Sequence, residues 1–128
     1  MIRVNIKKQG SYPVSSVKIR RFLRDFFSKK GIVSDAEVSV AVVGKAKMLD
    51  LGRKFLNDKI LHSVFSFTPD ESTSEFVYPP DNVIHLGEIV VCYSAAFEEA
   101  KKENKLMEKK MLELIEHSAE HLLGKHHE

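Results

Sequence analysis

Residues 117–128 read HSAEHLLGKHHE, which sets His117, His121 and His127 in the pattern HxxxHxxGxxH. Residues four apart on an α-helix lie on one face, so the rings of His117 and His121 can converge on one ion from adjacent turns. Gly124 is expected to stop that helix, because a glycine just past the last turn adopts the left-handed conformation that caps a helix and reverses the chain. His127 can then fold back as a third ligand, with its neighbour His126 competing for the position. Structural zinc sites are usually closed by four residues, whereas three nitrogens plus a bound water is the usual arrangement of a catalytic zinc. The spacing therefore predicts one open metal site per chain, for Zn2+ or another divalent transition metal that accepts imidazole.

Size and composition bound the rest. A chain of 128 residues, 43% hydrophobic, is long enough for one core and too short for two full domains, so residues 1–128 are read as a single domain. No apolar run approaches the roughly 20 residues needed to span a bilayer, and the start MIRVNIKKQG lacks the apolar stretch of a secretory signal. A soluble, cytoplasmic protein with no membrane partner is expected. Cys92 stands alone, which fits a reducing compartment, and its place at the end of an apolar run reads as a small buried hydrophobe. Net charge is only +2, yet residues 1–30 carry nine Lys or Arg against Asp25 alone. Such a basic face suits a phosphate-backbone partner, although a solvated helix face would look the same.

Along the chain, Ile2, Val4 and Ile6 alternate with polar residues at the period of a half-buried strand. Ile19, Phe22, Leu23 and Phe26 then recur at helical spacing, with Arg20, Arg21 and Arg24 displayed opposite and Gly31 ending the helix. A β-branched run over 36–43 is a strand closed by Gly44, and 46–57 is a helix with Met48, Leu49, Leu51 and Phe55 inward. Residues 63–68 form a short strand, 69–81 a loop, and 83–92 an apolar strand in which Gly87 marks a bulge or a close backbone approach. Ser94 is the expected N-cap of a helix through about residue 102, and a last helix from Asn104 or Lys105 carries the histidines. The order predicts an α+β fold: a four-stranded mixed sheet packed with helices, the metal-binding histidines lying on the C-terminal helix and the turn after it.

An open-site ion points to hydrolysis. The same histidine spacing occurs in metzincin peptidases, but they carry a general base as Glu directly after the first His, where this chain has Ser118. The pattern HxxEH around Glu120 superficially fits the inverted zincins, which need a further carboxylate ligand well downstream, whereas the sequence runs only to Glu128. Glu120 is a candidate catalytic base beside His117; an exposed acid in the stripe Glu113, Glu116, Glu120 is the plainer reading.

Three segments carry a family resemblance: HSAEHLLGKHH, similar to HGxxHLxGyDH; LGEIVVC (Leu86 to Cys92), similar to LGDIvIC; and VFSFT (Val64 to Thr68), similar to VLSFP. With their order and spacing, they resemble the YbeY-like endoribonucleases, the rRNA maturation factors. The resemblance implies a metal-dependent endoribonuclease of ribosomal RNA processing and ribosome quality control, with the ribosomal small subunit as partner and His117, His121 and His127 as zinc ligands. It makes Arg20, Arg21 and Arg24 plausible RNA contacts. The family arginine placed eight residues before the strand motif falls at Leu56, so Arg53, one turn earlier, is the candidate substitute for stabilising phosphate charge. His62-Ser63 replaces a Thr-Asp or Thr-Asn pair, which makes His62 a further candidate for contacting the substrate or supporting a metal ligand, and Lys125-His126 replaces Tyr-Asp. The Leu56 departure leaves open a binding or assembly factor that keeps the metal site with little nuclease activity. A hydrolase of a smaller phosphorylated or acyl substrate is the third possibility.

Overall fold

The computed structural model describes residues 1–71 and 82–127, with side chains through Gly124. Four strands form one sheet: β1 (Ile2–Lys8), β2 (Ala36–Val43), β3 (Val64–Phe67) and β4 (Ile84–Cys92), in the order β1-β2-β4-β3. β1, β2 and β4 run parallel, and β3 pairs antiparallel with β4 at the edge, giving the mixed sheet that the order of elements predicts. The helices are α1 (Ser16–Lys29), α2 (Lys45–Phe55), α3 (Tyr93–Lys102) and α4 (Met107–His127).

Strand alternation sends two sets of side chains to opposite faces. On one face Val4, Val38, Val40, Leu86, Ile89 and Val91 meet Ile19, Leu23 and Phe27 of α1 and Met111, Ile115, Ala119 and Leu122 of α4. On the other, Val43, Phe65, Phe67, Val90 and Cys92 meet Met48 of α2, with Leu51 and Phe55 at the margin. The helix α1 turns slightly from its expected face: Phe27, fully buried, completes the stripe begun by Ile19 and Leu23, whereas Phe22 and Phe26 are only partly covered. Burying a ring of that size contributes about 2–3 kcal/mol. Cys92 is a free, fully buried thiol, as read from its apolar run.

Local punctuation follows the glycines in two places. Gly31, at φ +95°, ends α1, with its amide donating to the Ser28 carbonyl and Ile32 N–H to Phe27. Gly87, at φ +132°, lies at a bulge, where the register shifts so that His85 stands opposite Glu37 and Gly87 opposite Val38. The close approach is real as well. A Cβ on Gly87 would overlap the Phe67 carbonyl oxygen and lie 2.8 Å from Leu122 Cδ2.

Three expectations are corrected. Gly124 does not stop the last helix, which continues through His127, and it is not among the glycines with positive φ. A glycine inside a helix costs only about 1 kcal/mol relative to alanine, too little to end one whose following residues can still extend the hydrogen-bond ladder. Cys92, not Ser94, is the N-cap of α3, because β4 passes into the helix with no loop between them. The arginine stripe of α1 is partly structural: Arg24 Nε donates to the Ile2 carbonyl at 2.9 Å and Arg20 Nε to that of Val4 at 3.4 Å. These carbonyls lie on the free side of edge strand β1, so the two guanidinium groups cover an otherwise unpaired edge. Arg24→Ala should therefore lower stability by about 1 kcal/mol, measured by urea denaturation, while Arg21→Ala leaves it unchanged. The expected loop over 69–81 begins as a turn, with Glu71 N–H donating to the Thr68 carbonyl at 2.9 Å; positions 72–81 lie outside the described residues.

Candidate metal centre and substrate surface

α4 packs its apolar side, Ile115, Ala119 and Leu122, on the sheet, which leaves His117, Glu120 and His121 exposed on the other side. Ser118, at the position of a metzincin base, is buried, so no acid–base role at the surface falls to it. Leu122 against Gly87 fixes the height of α4 over the β3–β4 edge. That contact brings His121 to the turn after β3. Its Nε2 lies 3.6 Å from Glu71 Oε1. The same Glu71 oxygen accepts the Thr68 amide at 2.9 Å, and the Thr68 hydroxyl sits 2.9 Å from it and 2.7 Å from Asp70 Oδ1. The VFSFT segment and the histidine helix, distant in sequence, thus meet at one point. Glu71 has no place in the sequence-derived site, although an acid three residues beyond VFSFT was a signal in plain view.

The donor set at this point suits a divalent transition ion: an imidazole nitrogen facing a carboxylate oxygen, with a second imidazole one helical turn away. Among the described residues no three His, Cys, Asp or Glu groups are gathered closely enough to hold an ion. The side chains of His126 and His127 lie outside the described residues. Along a continuous helix the six residues from His121 to His127 rise about 9 Å, so a third ligand from His127 requires the chain to turn at Gly124. Gly124 has open space around it, and a Cβ there would meet nothing within 4 Å.

The remaining candidates lie apart. Arg53 is exposed on α2, which covers the sheet face opposite α4, and among the described residues no contact links it to His117 or His121. Leu56, at the C-cap of α2, is 51% exposed. His62 Nε2 is held by Asp58 Oδ2 at 3.0 Å, and its ring lies 4.8 Å from that of Phe65. It is an oriented side chain near the start of β3, whereas Glu71 and His121 meet beyond the end of that strand.

Glu88, on β4 beside Gly87, is half-buried, and burial raises its carboxyl above the ordinary glutamate range. A carboxyl whose folded pKa is raised favours folding below its unfolded pKa, and that contribution is lost as pH rises through the folded value. Glu88→Gln should therefore raise the thermal midpoint at pH 7 and above, with the gain disappearing below about pH 4, near the unfolded glutamate pKa.

Comparison with known proteins now decides the family. The family described as Endoribonuclease YbeY matches residues 5–128. The chain belongs to the YbeY family. Endoribonuclease YbeY of Macrococcus caseolyticus is 28% identical over 86% of this chain and 71% of its own length. The Dehalococcoides mccartyi protein of the same name is 27% identical over 99% of this chain and 78% of its own. The solution structure of TM1509 from Thermotoga maritima superposes with a TM-score of 0.56 at 27% identity, covering 95% of this chain and 71% of that one. The three segments that carry the sequence resemblance meet in space: VFSFT leads into the Thr68–Glu71 turn, LGEI supplies Gly87, and HSAEH supplies His121. No helix among the described residues is long and apolar enough to cross a membrane.

Proposed function

We propose that this chain is a metal-dependent endoribonuclease that acts on ribosomal RNA in maturation and quality control of the small subunit, in the cytoplasm. The observation that carries the reading is the meeting of His121 on α4 with Glu71 on the Thr68 turn, 3.6 Å apart at an accessible end of the fold, in a chain of the YbeY family. His117, His121 and His127 would hold the ion, Zn2+ in the first instance, with His127 reaching it after a turn at Gly124. A bound divalent ion supplies a Lewis acid for a phosphoryl oxygen and hydroxide from water at neutral pH. The chain's own residues do the rest. Glu71, anchored on the Thr68 amide, stands 3.6 Å from the His121 imidazole, where it can take up a proton released at the site. Glu120, exposed one residue before His121, is the alternative proton acceptor.

The exposed Leu56 favours a second reading, a ribosome-associated assembly factor with weak or no nuclease activity, because no guanidinium stands where the family pattern places one. Cleavage separates the two. Structured ribosomal RNA incubated with the purified protein should be cut at discrete positions, and chelator or His117→Ala should stop it. RNA left intact under every divalent ion tried would favour the assembly factor, and cutting that persists in His117→Ala would remove the metal site from the reaction.

A further inference from the structure

The connections that follow β1 and β2 leave on opposite faces of the sheet: α1 packs with α4 against one, and α2 packs against the other. In an open sheet, neighbouring parallel strands whose connections part in this way frame a crevice at their carboxyl ends, and that is where such folds hold ligands. Here the crevice opens into a groove of about 740 Å³ along the side of α2, within the size range of small-molecule pockets. The groove has a chemical direction. At the end where β1 and β2 finish stand Lys7 and Lys47, which have no ion pair among the described residues, whereas Lys54 on the same rim is held by Asp50 at 3.2 Å. Two residues back along the strands, register sets Asn5 beside Ser39 beside Glu88. Between the two ends the wall is Leu51 and Phe55, whose ring is braced by that of Phe67 with centroids 4.7 Å apart.

Glu88 tells most about the occupant. It is half-buried, and among the described residues no hydrogen bond or ion pair offsets the cost of burying its carboxylate. A group that weakens the empty protein in this way is explained when a ligand supplies the missing donors. We infer that the groove binds a free guanine nucleotide, with its diphosphate on Lys7 and Lys47, its purine against Phe55 and Leu51, and its N1–H and 2-amino group donating to the Glu88 carboxylate. An ionised carboxylate only accepts, and its two oxygens match the paired donors of guanine, whereas adenine sets a donor beside an acceptor. From strand spacing and rise, the Cα atoms of Glu88 and Lys7 lie about 12 Å apart, a span that a nucleoside diphosphate bridges from base edge to second phosphate. Two free ammonium groups suit the charge of a diphosphate. The groove faces away from His117 and His121, so the inference goes beyond the nuclease reading and does not rest on it.

The test is isothermal titration of GDP, ADP and guanosine into metal-free protein at neutral pH. Wild type should bind GDP about tenfold more tightly than ADP, and guanosine about tenfold more weakly than GDP. Lys7→Gln/Lys47→Gln should weaken GDP about tenfold and leave guanosine unchanged, whereas Lys101→Gln/Lys102→Gln, which removes the same charge from α3 outside the groove lining, should bind GDP as wild type does. Glu88→Gln should weaken GDP about tenfold and turn the preference towards ADP, because an amide sets one donor beside one acceptor. That substitution is expected to raise the thermal midpoint at neutral pH, so binding lost in it does not come from unfolding. No binding of GDP, equal binding of GDP and ADP by wild type, equal loss in both lysine variants, or a Glu88→Gln protein that keeps the wild-type preference would each overturn the assignment. So would displacement of GDP by a single-stranded oligouridylate, which carries phosphate without guanine and would mark the groove as a channel for polyanions.

Discussion

Gly87→Ala should destabilise the protein by about 2–6 kcal/mol, a large part of the 5–15 kcal/mol that holds a typical domain together. Two effects add. The residue sits at φ +132°, where an L side chain is strained by about 1–3 kcal/mol. The added methyl would also overlap the Phe67 carbonyl and press on Leu122, and forced overpacking of this kind costs about 1–3 kcal/mol. Backbone cannot rotate aside as a side chain would, so relief must come from parting β3 from β4 or lifting α4. Urea denaturation followed by circular dichroism reads the loss directly. Either route of relief separates His121 from Glu71, so partly folded variant should also lose metal affinity. A variant as stable as wild type would show that the three motifs do not meet as described.

The second large effect is on chemistry rather than stability. His121→Ala should lower zinc affinity by about a hundredfold or more and abolish RNA cleavage, because one of the three proposed ligands is gone, the imidazole that faces Glu71 at 3.6 Å. The side chain is exposed, so stability in the absence of added metal should stay within about 0.5 kcal/mol of wild type. Glu71→Gln keeps the shape and removes the charge. It should weaken zinc by about tenfold, the size of effect expected from a residue that positions a ligand without replacing it. Isothermal titration with zinc and a cleavage assay on the same preparations give both readouts. Full cleavage by His121→Ala would exclude it from the reacting centre.

Much of this was legible in the sequence because it depends on local pattern. Alternation exposed the strands, the β-branched run of 36–43 marked a central one, and the position of Gly87 in an apolar strand pointed to a bulge or a close backbone approach, of which the fold has both. What escaped depends on contacts between distant segments. Phe26 and Phe27 are both apolar neighbours, and only the docking angle of α1 decides that the second is the buried one. Arg20 and Arg24 look like a solvated stripe until β1 is seen to leave its carbonyls open beside them. Glu71 gains meaning only when the turn after β3 is folded against α4. Gly124 is ambiguous for a different reason: the same residue can cap a helix or lie inside one, and here the helix runs through it.

The central claim is that imidazoles of the C-terminal helix hold a divalent ion. Its most direct test is a zinc titration of untagged, metal-stripped protein beside a His117→Ala/His121→Ala variant, followed by heat signal and by the helical circular dichroism of the last turn. The account predicts one ion per wild-type chain, none on the variant, and a small loss of helicity on binding as the chain turns at Gly124. Equal zinc uptake by both proteins, or none by either, would contradict it.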